Sequence, residues 1–141
     1  MLLDPNYDLM FLIDQLSHSM FLARKKELNN YGIYVRQLRV LFTIRDLGSN
    51  ATITRIAKRV KRKVEVISRQ CISLEEGGFL VRHRKTPGSN LLTLELTEKG
   101  IEITDSLCRS KSVDRIFSIL STEDRKQFIS FLKQLVDMAK N

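Results

Sequence analysis

Six cations stand in the nine positions from Arg55 to Lys63: Arg55, Lys58, Arg59, Lys61, Arg62 and Lys63, with no acid among them. The chemistry open to such a cluster is the binding of a polyanion. Catalysis has no comparable set. The sequence offers no phosphate loop, no histidine–acid pair beside a nucleophile and no cluster with metal spacing, so neither an enzyme activity nor a cofactor nor a metal is expected. Asp14 and His18 share a helix face, but two ligands make an incomplete metal site.

The charge is local. Ten cations and three carboxylates fall between Ala51 and Asn90, and they account for nearly all of the net charge of +8 on 141 residues. Charge so placed marks a site rather than a general aid to solubility. Cys71 and Cys108 lie far apart without redox or metal spacing, which fits a reducing compartment. Both are expected to be packed. No secretory leader is expected, because no positive segment precedes the first apolar residues. Leu9 to Ile13 is too short to cross a bilayer. A soluble, cytoplasmic, single-domain protein is the expectation.

The elements that must position the cations follow from periodicity. Leu9, Ile13, Leu16 and Met20 recur at helical spacing, so a first helix is predicted from about Asp8 to Asn29. A second runs from about Val35 to Leu47 and stops near Gly48. Thr52 caps a third, Ile53 to Val60, and Lys61 to Lys63 form a turn. A fourth runs from about Lys63 to Glu76, with Ile67, Cys71 and Leu74 inward and Gly77-Gly78 as its stop. Phe79 to Lys85 and Leu92 to Leu96 alternate like strands. Thr86-Pro87-Gly88-Ser89 joins them as a type II turn, and Leu92, Leu94 and Leu96 mark one buried face. Thr97 caps a fifth helix reaching about Leu120, with a break expected near Ser110–Ser112. Ser121 caps a sixth with a wide apolar face.

Helix, turn, helix and hairpin together form a winged helix-turn-helix, in which the second helix enters the major groove of DNA. Glu65, Val66, Ser68 and Arg69 occupy its first two turns and are the expected base readers: Arg pairs with guanine, Glu accepts from cytosine, Val meets a thymine methyl. Arg55, Lys58, Arg59, Lys61, Arg62 and Lys63 suit phosphates. The hairpin adds Arg82, Arg84 and Lys85 at its base and Asn90 near its tip, placed for the adjacent minor groove.

In the order of its helices the chain resembles the multiple antibiotic resistance regulator (MarR) family. The resemblance is carried by Gln37-Leu38-Arg39-Val40-Leu41, Thr52-Ile53-Thr54-Arg55-Ile56-Ala57, Ser68-Arg69, Leu74-Glu75-Glu76-Gly77-Gly78-Phe79-Leu80-Val81-Arg82, Leu96-Thr97-Glu98-Lys99-Gly100 and Leu120-Ser121-Thr122-Glu123-Asp124. It implies a mainly α protein of six helices with a small β-hairpin wing. The helical regions 1–33 and 98–141 would build a homodimer, and 34–97 would bind DNA. It also implies a pseudo-palindromic operator and, usually, repression relieved by a small-molecule effector or by oxidation. Leu9, Ile13, Leu16, Phe128, Leu132 and Leu135 are the expected dimer contacts. One departure is local to the wing: family wings carry an aspartate and an arginine where this chain has Gly88 and Asn90. Asn90, or Arg84 and Lys85, then stand in for the missing arginine. Two other readings remain at this level: a winged-helix adaptor for an acidic protein, and a thiol sensor acting through Cys71 or Cys108.

Overall fold

A computed structural model of the chain describes residues 4–109 and 111–140. The elements run α1 (Pro5–Leu28), α2 (Val35–Leu47), a 3₁₀ turn (Gly48–Asn50), α3 (Ile53–Val60), α4 (Val64–Glu76), β1 (Leu80–Arg84), β2 (Leu92–Leu96), α5 (Glu98–Cys108), α6 (Lys111–Phe117) and α7 (Thr122–Ala139). The chain divides after Cys108 into two compact units.

Local chemistry sets most boundaries. The side chains of Thr52, Thr97 and Ser121 accept from the backbone N–H groups of Arg55, Gly100 and Asp124, so each caps the helix that follows it. Helix α4 ends in a Schellman motif: Gly78 N–H bonds the Glu75 carbonyl and Phe79 N–H bonds the Leu74 carbonyl. Gly78 takes the left-handed conformation (φ +80°) that this closure needs. Helix α1 begins three residues before the apolar stripe predicts. Asp4 caps it by accepting from Asn6 N–H, and Pro5 occupies its first turn, where a missing N–H costs nothing. The expected long fifth helix is two segments, α5 and α6; of the serines at the expected break, Ser112 lies inside α6 and Ser110 outside the described residues.

The core of the first unit is one apolar cluster. Leu38, Leu41 and Ile44 of α2, Ile56 and Ala57 of α3, and Ile67, Cys71 and Leu74 of α4 are buried together with Leu80, Leu94, Ile103 and Leu107. Of the inward faces read from periodicity, Ile56, Ala57, Ile67, Cys71 and Leu74 are buried and Ile53 and Val60 half-buried, whereas Leu9 and Ile13 of the α1 stripe are exposed. Strands β1 and β2 pair antiparallel, with Leu80 opposite Leu96 and Arg84 opposite Leu92. The hairpin is fastened at its base. Leu94 N–H donates to the Ala51 carbonyl (2.8 Å) and Thr97 N–H to the Phe79 carbonyl (3.0 Å). Its buried face is shorter than the alternation predicts: Leu94 is buried, whereas Leu92 is 42% exposed because the wing extends past the core.

In the second unit α7 buries none of its side chains. In α1 the amino-terminal half is apolar on several sides and exposed.

Candidate nucleic-acid interface

The turn between α3 and α4 is built by an unusual residue. Lys61 ends α3 in the left-handed conformation (φ 56°, ψ 53°), and it is the one non-glycine with positive φ among the described residues. Arg62 N–H then closes onto the Ala57 carbonyl (3.0 Å). Lys63 is the N-cap of α4, with no side-chain cap bond, so the first amides of α4 are left open. Such open amides and the helix dipole favour an anion.

Burial orders the residues of α4. With Ile67, Cys71 and Leu74 turned inward, Glu65 and Arg69 fall on the opposite, exposed face, while Val66 and Ser68 are half-buried on its flanks. The structure therefore brings all four expected base readers to one end of α4 but gives them unequal reach. Val64 (44% exposed) and Ile72 (45%) stand out beside them. Neither belongs to the base-reading set chosen from sequence, and Ile72 lies beyond the first two turns of α4. The expected alternative for Arg69, an ion pair with Glu65, does not form: neither residue has an ionic partner among the described residues.

The cations differ in freedom. Arg55, Lys58, Lys61, Arg62 and Lys63 are exposed. The Arg62 guanidinium turns back onto the Lys61 carbonyl (3.1 Å) but keeps its charge. Arg59 is paired with Asp46 of α2. On the wing, Arg82 is half-buried, with its guanidinium 3.5 Å from Glu75 of α4. Arg84 donates to the Ser89 carbonyl (3.2 Å), Lys85 and Asn90 are exposed, and His83 pairs with Glu95. The tip has the expected turn: Ser89 N–H bonds the Thr86 carbonyl (3.0 Å) and Gly88 has φ +81°.

The cysteines separate. Cys71 is buried, and burial pushes its thiol from 9.0 up to about 11, with Arg82 opposing slightly. A thiol so placed is a core residue rather than a nucleophile. Cys108 is exposed, contrary to the expectation that it packs: Leu107, one position earlier, takes the inward face of α5. Of the expected dimer contacts, Leu9 and Ile13 of α1 are exposed and Leu16 is half-buried. Phe128, Leu132 and Leu135 of α7 are exposed. No group of three potential ligands for a metal occurs among the described residues, and no described helix is long and apolar enough to cross a membrane.

Solved structures share this architecture. The S. aureus MepR–DNA complex superposes with a TM-score of 0.81 at 19% identity, over 96% of this chain and 99% of that one. A MarR/EmrR family transcriptional regulator from Acinetobacter sp. ADP1 gives 0.79 at 16% identity, over 98% and 99%. The chain has the MarR fold. A third structure with that fold, the organohalide-sensing regulator RdhR bound to 2,4-dichlorophenol, gives 0.77 at 18% identity, over 96% of this chain and 82% of that one. No family model matches the sequence, and no curated protein does. In the frame of the MarR fold, β1, β2 and their turn form the wing, and α3, the Lys61 turn and α4 form the helix-turn-helix.

Proposed function

We propose that the protein is a sequence-specific DNA-binding transcription regulator, acting in the cytoplasm as a homodimer on a pseudo-palindromic operator, most simply as a repressor. One observation carries the reading: Glu65 and Arg69 project from the amino end of α4 without an ionic partner among the described residues, framed by the exposed cations Arg55, Lys58, Arg62 and Lys63. A polar pair left free at a helix end, beside open amides, suits base edges and phosphates. MepR, of the same fold, has been solved on DNA, which supports DNA as the partner. Residues 34–97 carry the DNA contacts in this proposal, and the apolar faces of α1 and α7 carry the dimer. In that assignment Glu65, Val66, Ser68 and Arg69 read bases, with Val64 beside them. Arg55, Lys58, Lys61, Arg62, Lys63 and Lys85 hold phosphates. RdhR is bound to a small molecule, and release by an effector is part of the proposal.

Selection of bound duplexes from a random library tests it and should return two half-sites about one helical turn apart. On the selected site Arg69→Ala should cost roughly 1–3 kcal/mol and relax preference at one position, whereas Arg62→Ala should weaken all sequences alike. Recovery of no motif, or an equal loss on cognate and random DNA for Arg69→Ala, sinks the reading.

A further inference from the structure

Beneath the wing lies a cleft that shares only its rim with the proposed DNA contacts. It lies between the end of α2, the 3₁₀ turn, the inner side of the hairpin and the start of α5, and it holds about 720 Å³. That is the size of a small-molecule site. Its wall is aliphatic, with Ile44, Leu94 and Ile101, and no Phe or Tyr lines it among the described residues. Its rim carries Arg45, Arg84 and Lys85 against Glu95.

The partners of these charges decide what the rim wants. Arg45 is held by Asp105 and by the Thr104 hydroxyl. Glu95 is held by His83. Arg84 has only a neutral partner, the Ser89 carbonyl, and the Lys85 ammonium has none among the described residues. Both therefore keep their charge at the open edge of an apolar wall. A ligand that satisfies wall and edge together has an apolar body and one negative end. The ring that lines the cleft, the His83 imidazole, is tied to Glu95, so the aliphatic wall favours no ring over a chain.

We propose that this cleft binds an organic anion with an aliphatic body, its carboxylate on Lys85 and Arg84 and its chain against Ile44, Leu94 and Ile101. The site stands on its own geometry. It has one consequence that rests on the DNA reading above: Lys85 serves both ligand and phosphate, so a seated anion competes with DNA at the wing.

Three probes of equal length and different charge test the site: octanoate, octanol and octylamine, each titrated into the full-length ¹⁵N-labelled protein without DNA. Octanoate should bind saturably and shift the amides of Ser49, Thr93, Leu94 and Ile101. Octanol, lacking the charge-assisted contact, should bind roughly tenfold more weakly, and octylamine more weakly still. Ile101→Glu, at a position 43% exposed and so tolerant of a polar group, should abolish the shifts. Lys85→Gln should weaken octanoate while leaving octanol unchanged, which keeps the test alive if the first variant misfolds. Shifts centred on the exposed apolar residues of α1, or octylamine binding as well as octanoate, overturn the site. With the cleft saturated, an unchanged affinity for the selected duplex overturns the competition alone.

Discussion

Gly100 sits at the start of α5, where a methyl group has nowhere to go. A Cβ built there meets the Phe79 carbonyl oxygen at 2.2 Å, its carbon at 3.2 Å and Leu96 Cβ at 3.3 Å. Carbon and oxygen approach comfortably only to about 3.3 Å, so Gly100→Ala forces the backbone of Phe79 and α5 apart by about 1 Å. The bond from Thr97 N–H to the same carbonyl (3.0 Å) lies in the path of that movement. Overpacking of this kind costs about 1–3 kcal/mol, and a weakened hydrogen bond adds up to about 1 kcal/mol. Against them stands the helix preference for alanine, about 0.8–1 kcal/mol over glycine. The clash should win, leaving a net loss of up to about 3 kcal/mol. The sign is the test, because at an open helical position the same exchange stabilises. Urea unfolding at fixed protein concentration should show a lower midpoint for Gly100→Ala, with the exposed Glu102→Ala as a near-neutral control. A midpoint for Gly100→Ala at or above that of the parent protein would refute the close packing of α5 on the hairpin base.

Lys61→Gly and Lys61→Ala remove the same charge, but only glycine relaxes the left-handed turn. The glycine variant should be more stable by about 1 kcal/mol in thermal unfolding, and equal stability would place no strain at Lys61. Cys71 should resist alkylation at pH 8 while Cys108 is labelled, as read by mass spectrometry of the folded protein. Because burial raises the Cys71 thiol from 9.0 to about 11, the unfolded chain ionises first. Its stabilising share is whole below pH 9 and is lost as pH climbs towards 11, and Cys71→Ala should lack this alkaline slope in urea midpoints. Leu132→Asp should shift sedimentation from dimer to monomer, because the dimer would bury an unpaired carboxylate; an unchanged profile removes α7 from the interface.

Helices and caps were legible in the sequence because their causes are local. Thr52, Thr97 and Ser121 need only the amides three residues on, and Gly77-Gly78 only the carbonyls of the preceding turn. The start of α1 was missed because Asp4 and Pro5 precede the apolar stripe that announces the helix. Leu92 reads like Leu94 by alternation, since periodicity cannot say how far a strand outruns its core. Least legible were the pairings across elements. Nothing in the spacing of Asp46 and Arg59, or of Glu75 and Arg82, joins them until α2, α3, α4 and β1 pack.

Those pairings change what the basic cluster does. Nine cations are candidates for phosphate, yet Arg59 is held by Asp46 and Arg82 by Glu75. If paired cations release no counterion, the salt dependence of DNA binding per protomer is bounded by a log–log slope of about −6 rather than about −8. Asp46 is exposed and stands opposite Arg59, so Asp46→Asn frees one cation with little structural cost. In affinity measured from low to moderate salt, that variant should bind more tightly at low salt. Its slope should steepen by about 0.9 for each half-site contacted. If the slope is unchanged while affinity rises, Arg59 lies outside the phosphate track, and α3 crosses the DNA backbone through Arg55 and Lys58 instead.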